Sequence, residues 1–264
     1  MPPSVDDRAK RILDESETRI TPRDFARQLA QDCGITPGAA RIVLKQLVSE
    51  GEISYTYDFG ATHVAISFLR PVRVTDHFIL TPWKTTIKDG FIEIIIAPGI
   101  SFGSGAHPTT RICLEAIDHT FLGKGQPVLA GRSADVGTGS GVLALAMVRS
   151  GCTSCLALDI DLNCVSEAGK NIILNHLETV IEVTDKLLDD SSGLFAIISA
   201  NLRFPTLKTL APLFREITEP HALLILSGVR TWELNNLMDH YLLYGFSCTW
   251  TQNRKGWSGA IFQK

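Results

Sequence analysis

Ala134-Asp135-Val136-Gly137-Thr138-Gly139-Ser140-Gly141 sets three glycines at alternate positions, between an acidic residue and the apolar run Val142 to Val148. Twenty-two residues after Gly137, Asp159 stands in a second apolar run, Cys155-Leu156-Ala157-Leu158-Asp159-Ile160. A strand, a glycine turn, a helix and a second strand ending in a carboxylate form a nucleotide-binding half-fold. Glycine at the turn lets a ligand approach the backbone. The helix opening at Gly141 points free N–H groups at an anion. The spacing is G-x-G-x-G rather than the dinucleotide fingerprint G-x-G-x-x-G.

Around this unit, strands and helices alternate. Helices are predicted at 141–150, 163–176, 206–217 and 231–244. Strands are predicted at 127–136, 155–160, 179–183, 194–200, 221–227, 246–251 and 258–263. The run Leu194 to Ala200 is apolar without alternation, as in a strand buried on both faces. Such alternation gives an α/β class, a doubly wound Rossmann-like sheet over residues 70–264. Upstream, Val72 to Leu80 and Gly90 to Ala97 read as strands. Thr109 or Thr110 is expected to open a helix through Ile112 and Ile117.

Residues 1–69 form a different pattern. A short helix, Asp6 to Glu15, is followed by two helices that open on Thr21-Pro22 and Thr36-Pro37. Glu52 to Tyr57 and His63 to Phe68 alternate like strands around Asp58-Phe59-Gly60, a predicted hairpin turn. Three helices and a hairpin resemble a small winged helix-turn-helix. Its charge disfavours nucleic acid: eight Lys/Arg against ten Asp/Glu leave a net of −2. A protein-docking or dimerising module is the better reading.

At 45% hydrophobic and 20% charged residues, the chain suits an ordinary globular protein, and its net charge of −3 gives no global attraction to nucleic acid or membrane. No uninterrupted apolar run is long enough to span a bilayer. Met1 to Lys10 lacks the apolar segment of an export signal, so a cytoplasmic location with reduced thiols is expected. Cys152-Thr153-Ser154-Cys155 has no second pair at zinc spacing, and the two cysteines read as half-buried thiols rather than a metal site.

Two further stretches carry chemistry. Asp159 and Asn201 end strands at the carboxyl edge, where open α/β sheets bind ligands. Asp161 is the better helix cap of the two nearby acids. The loop 98–110 holds Phe102, His107, Thr109 and Thr110 among glycines, and reads as a lid over a bound ligand in which Phe102 packs on an apolar surface and Thr110 hydrogen-bonds at a helix start.

Pro98-Gly99-Ile100-Ser101-Phe102-Gly103-Ser104-Gly105-Ala106-His107-Pro108-Thr109-Thr110, followed in order by the glycine turn, Leu158-Asp159-Ile160-Asp161, Ala200-Asn201-Leu202 and Leu226-Ser227-Gly228-Val229-Arg230, closely resembles the bacterial PrmA family. The resemblance runs from about Arg70 to Lys264. It implies a methyltransferase that uses S-adenosylmethionine and methylates amines of a ribosomal protein. On that resemblance Phe102, Thr110, Asp135, Gly137, Thr138, Gly139, Asp159, Ile160 and Asn201 line the cofactor pocket. Asp159 holds the ribose hydroxyls, Ile160 meets the adenine, and Asn201 and His107 face the acceptor amine. Departures are Arg132 and Ser133 within the first strand, Ala196 where an Asp is usual, and Leu202-Arg203-Phe204-Pro205 after Asn201. A winged helix in place of the family's α/β recruiting domain puts the ribosomal target in question. The alternatives are methylation of nucleic acid or a small molecule, a nicotinamide oxidoreductase, and a ligand-sensing regulator on a non-catalytic fold.

Overall fold

The computed structural model describes residues 4–16, 18–58, 60–82, 90–97, 105, 107–123 and 131–264. The chain divides into two compact units, Met1–Val72 and Arg73–Lys264. Phe102, most of the 98–110 loop, Phe59 of the hairpin turn and residues 127–130 of the expected first strand lie outside the described residues.

The first unit has helices α1 (Val5–Glu15), α2 (Pro22–Cys33) and α3 (Pro37–Ser49), then antiparallel strands β1 (Ile53–Asp58) and β2 (Ala61–Ile66). Local chemistry sets its boundaries. The hydroxyls of Thr21 and Thr36 accept from the N–H groups of Asp24 and Ala39, and a proline follows each cap. Gly34 ends α2 in the left-handed region, at φ +65°. Ile12, Phe25, Leu29, Leu44, Leu47, Ile53 and Val64 share one core. Ile20 adds a one-residue bridge to β2, its carbonyl accepting from Val64 N–H at 2.9 Å.

From the unit boundary onward comes a small sheet of β3 (Val72–Arg73), β4 (Phe78–Thr81) and β5 (Ile92–Ile95). The expected single strand Val72 to Leu80 is therefore two. Thr75 breaks it by turning back, its hydroxyl accepting from the N–H groups of His77 and Phe78.

Helix α4 (Pro108–Leu122) precedes the alternating elements β6 (Arg132–Val136), α5 (Val142–Arg149), β7 (Ser154–Leu158), α6 (Leu162–Leu174), β8 (Ile181–Thr184), β9 (Phe195–Asn201), α7 (Phe204–Glu216), β10 (Thr218–Arg230), α8 (Leu234–Leu242), β11 (Ser247–Arg254) and β12 (Trp257–Gln263). They build one seven-stranded sheet in the order β11-β12-β10-β9-β6-β7-β8. β6 to β10 pair in parallel, while β12 runs antiparallel to both β10 and β11. This is an α/β fold on a large mixed sheet. The expected helix at 231–244 starts as a single 3₁₀ turn, Thr231–Glu233, and becomes α-helical only at Leu234.

Sequence and topology agree on the core. α5 is apolar on every side, and Val142 to Met147 are all buried. Phe195, Phe214, Tyr241, Phe246 and Phe262 are fully buried on one face, each contributing about 2–3 kcal/mol of burial. Pro212 lies inside α7 and donates no hydrogen bond to the carbonyl four residues back. That carbonyl, of Lys208, meets the His240 ring nitrogen at 3.0 Å, and Tyr241 donates its hydroxyl to the neighbouring Leu207 carbonyl at 2.8 Å. α8 thus satisfies the backbone that the proline disturbs.

Arg132 and Ser133 fit the first strand because each finds a partner. Arg132 lies over the Phe195 ring at 4.5 Å and donates to the Ser192 carbonyl, and Ser133 donates to the Ser154 carbonyl at 2.9 Å.

Candidate functional site

The sheet order reverses between β6 and β9. Connections from β6 lead outward to β7 and β8, whereas β9 leads the other way to β10. A crevice opens at the carboxyl ends of two strands whose crossovers diverge. The glycine turn leaves β6 at that point, and Asn201 ends β9 beside it.

Gly137, Gly139 and Gly141 have φ of +74°, +56° and +83°, values that side-chain-bearing residues rarely adopt. Gly137 and Thr138 donate their N–H groups to the Leu158 carbonyl at 2.8 and 3.0 Å, so the turn folds over the end of β7. Asp159 then closes the link: one carboxylate oxygen accepts from Gly139 N–H at 2.9 Å, the other from Asp161 N–H at 3.0 Å. Each oxygen keeps a further lone-pair direction for another donor. Next to it Ile160 is 80% exposed, an apolar side chain presented to solvent at the strand end.

Asp135 lies beneath the turn and is only 1% exposed. Its carboxylate accepts from the hydroxyls of Ser199 and Thr138, at 2.6 and 2.7 Å, and from Ala144 N–H at 3.2 Å. Burial raises it to about 6, and the three hydrogen bonds oppose that rise. Asp135 therefore fixes the turn from below. Thr138 is also buried, its hydroxyl turned inward onto Asp135.

His107 corrects the expected helix start. α4 begins at Pro108, and His107 Nδ1 caps it by accepting from Thr109 N–H at 3.3 Å. The His107 ring also meets Trp257 edge-on, at 5.1 Å between centroids. Thr110, expected to bond at the helix start, is buried with its hydroxyl unpartnered among the described residues. One turn along α4, the buried Cys113 thiol lies near Ser227 and Asp135, and burial pushes its pKa up. The Asn201 side-chain oxygen is likewise buried and unpartnered among the described residues.

Leu202 packs tightly against this edge. A Cβ on Gly137 would lie 2.5 Å from Leu202 Cδ2, and one on Gly228 would lie 2.3 Å from the Leu202 carbonyl oxygen. Gly228, at φ +91°, sits at a bulge in β10. Cys152 and Cys155 are buried, more deeply than the expected half-burial, and their pKa values are raised by desolvation.

Sequence reasoning singled out the glycines, Phe102, Asp135, Thr138, Asp159, Ile160, Thr110, His107 and Asn201, quoted Leu202 and Arg230 only within longer motifs, and missed Ser199 and Trp257. Ser199 carried a usable signal, a lone hydroxyl in an otherwise apolar buried strand.

A mixed α/β sheet with its glycine turn and strand-end acid at the reversal point defines a Rossmann-like fold of the methyltransferase type. Residues 60–264 match the family described as ribosomal protein L11 methyltransferase (PrmA), and the chain belongs to that family. A ribosomal protein L11 methyltransferase from Geotalea daltonii is 33% identical over 198 residues, covering 72% of this chain and 63% of the relative. One from Staphylococcus aureus is 33% identical over 202 residues, covering 75% of this chain and 63% of the relative. The match thus spans under two thirds of those relatives' length. The solved structure of a ribosomal protein L11 methylase from Lactobacillus delbrueckii subsp. bulgaricus is similar, with a TM-score of 0.64 and 26% identity over 73% of this chain and 97% of that one.

Proposed function

We propose that this chain transfers a methyl group from S-adenosylmethionine to an amine of a protein, a ribosomal protein in keeping with its relatives. The observation that carries this reading is the Asp159 carboxylate bonded to Gly139 N–H at the reversal point of the sheet. The residues present fit a nucleoside attached to a sulfonium. Asp159 has acceptor directions for a ribose diol, and Ile160 offers an apolar surface for a base. Gly137, Thr138 and Gly139 give backbone approach for the amino-acid portion. Asn201 Oδ1 and Thr110 Oγ1 are buried polar atoms with no hydrogen-bond partner among the described residues. When bound, the cofactor supplies a methyl group on positively charged sulfur.

The chain's own residues orient and desolvate. Asn201 presents its side-chain oxygen to the amine N–H and aims the nitrogen lone pair. His107 sits at the mouth, held by Thr109 and Trp257. Phe102 and the 98–110 loop exclude water, which lowers the amine's pKa and favours its neutral form. Asp135 serves the turn without touching the ligand. Correct placement of the amine supplies up to about 7–11 kcal/mol.

The first unit acts as a winged-helix-like docking module over residues 1–69, and its net negative charge suits a protein partner better than nucleic acid. The six cysteines are all free, in keeping with work in the cytoplasm.

Methyl-labelled S-adenosylmethionine added with the protein to a cell lysate tests the reading. Label in a protease-sensitive fraction is expected. Label confined to RNA or small molecules, or no binding of the cofactor by calorimetry, overturns it.

A further inference from the structure

Beyond Asn201, the same edge of the sheet carries an uncommon arrangement. Arg230 is the last residue of β10 and pairs with Trp257 of β12 across the ladder. Its guanidinium carbon lies 3.7 Å from the centroid of the Trp257 ring and 5.8 Å from that of Trp232. Trp232 is 72% exposed. The His107 ring meets Trp257 in turn. A row of four side chains, His107, Trp257, Arg230 and Trp232, therefore runs from the head of α4 to the end of β10.

The guanidinium in this row has no ion-pair partner among the described residues. No carboxylate, carbonyl or hydroxyl oxygen accepts from it among the described residues. The nearest acid in sequence, Glu233, spends its carboxylate on the backbone N–H of Arg230, at 2.7 Å. Arg203, two residues after Asn201, is exposed and likewise has no acceptor for its guanidinium among the described residues. β9 and β10 run in register there, Asn201 opposite Ser227, so both cations stand at the edge where Asn201 ends its strand.

Two cations with no ion-pair partner among the described residues, beside the proposed amine-binding site, pose an electrostatic problem. They repel a protonated amine unless the acceptor brings negative charge of its own. A planar guanidinium fixed by an indole face offers a two-pronged donor matched to a carboxylate. We infer that Arg230, stacked on Trp257, is a specificity-determining residue that binds a carboxylate side chain flanking the acceptor amine, so that the substrate is an acidic protein segment. The inference rests on the methyl-transfer reading above and adds the chemistry of the acceptor.

Two peptides test it, Ac-Gly-Glu-Lys-Glu-Gly-amide and its Gln-for-Glu counterpart. Each is titrated into the full chain with S-adenosylhomocysteine present, following tryptophan fluorescence, and each is assayed as a methyl acceptor. The wild-type chain is expected to bind the acidic peptide at least about fivefold more tightly, with the preference shrinking as salt rises. Arg230→Met is expected to abolish the preference while leaving affinity for the glutamine peptide and for S-adenosylhomocysteine within twofold. Arg230→Lys, which keeps the charge and loses the fork, is expected to retain part of it. Equal binding of both peptides, binding of neither, or a preference that survives Arg230→Met overturns the inference. Methyl transfer to both peptides at equal rates preserves the functional reading and removes this subsite. An Arg230-dependent preference without any methyl transfer preserves the subsite and removes the functional reading. A thermal melt of Arg230→Met within a few degrees of wild type confirms that the variant is folded.

Discussion

The Asp159 carboxylate holds the backbone N–H of Gly139 at 2.9 Å, joining the end of one strand to the middle of the turn that follows another. That bond fixes the backbone and aims the remaining lone pairs outward at once.

Asp159→Asn is expected to lose cofactor affinity without losing the fold, because the side chain sits at the strand end rather than in the core. One charge-assisted hydrogen bond amounts to about 1.5–3 kcal/mol, or about 10–100-fold in Kd. Calorimetry with S-adenosylmethionine measures the change. An affinity within twofold of wild type removes Asp159 from the ribose site.

Asn201→Ala separates acceptor orientation from cofactor binding. The rate of methyl transfer is expected to fall about 100-fold or more, with cofactor affinity changed less than about threefold. Single-turnover rates and a parallel binding titration decide it. Equal losses in both place Asn201 in the cofactor pocket alone.

Gly228→Ala is expected to destabilise more than Gly137→Ala. Both glycines have positive φ, costing an added side chain about 1 kcal/mol or more. The new methyl at 137 meets the tip of the Leu202 side chain, whereas at 228 it meets Leu202 backbone atoms. Expected losses are about 1–2 kcal/mol at 137 and more than about 3 kcal/mol at 228. Adding Leu202→Ala should relieve the first and not the second, as urea denaturation midpoints would show. Rescue of Gly228→Ala by that second change contradicts the backbone clash.

Asp135 gives a pH signature. Its folded value of about 6 lies above the 3.8 of an unperturbed carboxyl, so the native state holds the proton more tightly. The associated stabilisation is present in full below about pH 4 and is lost as pH rises to about 6. Two pKa units correspond to about 3 kcal/mol. Relative to wild type, Asp135→Asn should therefore fare progressively better from pH 4 to pH 6. Urea unfolding of both proteins across that range measures the difference, and parallel curves disprove it.

The elements legible in the sequence were those fixed by neighbours in the chain. Thr21-Pro22, Thr36-Pro37 and Asp161 announced helix starts through groups two or three residues away. The alternate glycines and Asp159 announced the turn in the same manner. Longer-range chemistry was hidden. The bond between Asp135 and Ser199, on a strand 64 residues away, shows only in the fold. Arg230 and Trp257 meet only through the pairing of β10 with β12. The His107 ring meets Trp257 from far along the chain. No local pattern encodes such meetings, because sheet order decides them.

The position of β12 between β10 and β11 bears on biosynthesis. Of these three strands it leaves the ribosome last, yet both others hydrogen-bond to it. Until it emerges, β10 has an open edge and β11 has no neighbour in the sheet. A nascent chain stalled before Trp257 therefore presents raw strand edges to chaperones. It also lacks the indole on which Arg230 rests, so the stacking of Arg230 and closure of the sheet are completed together.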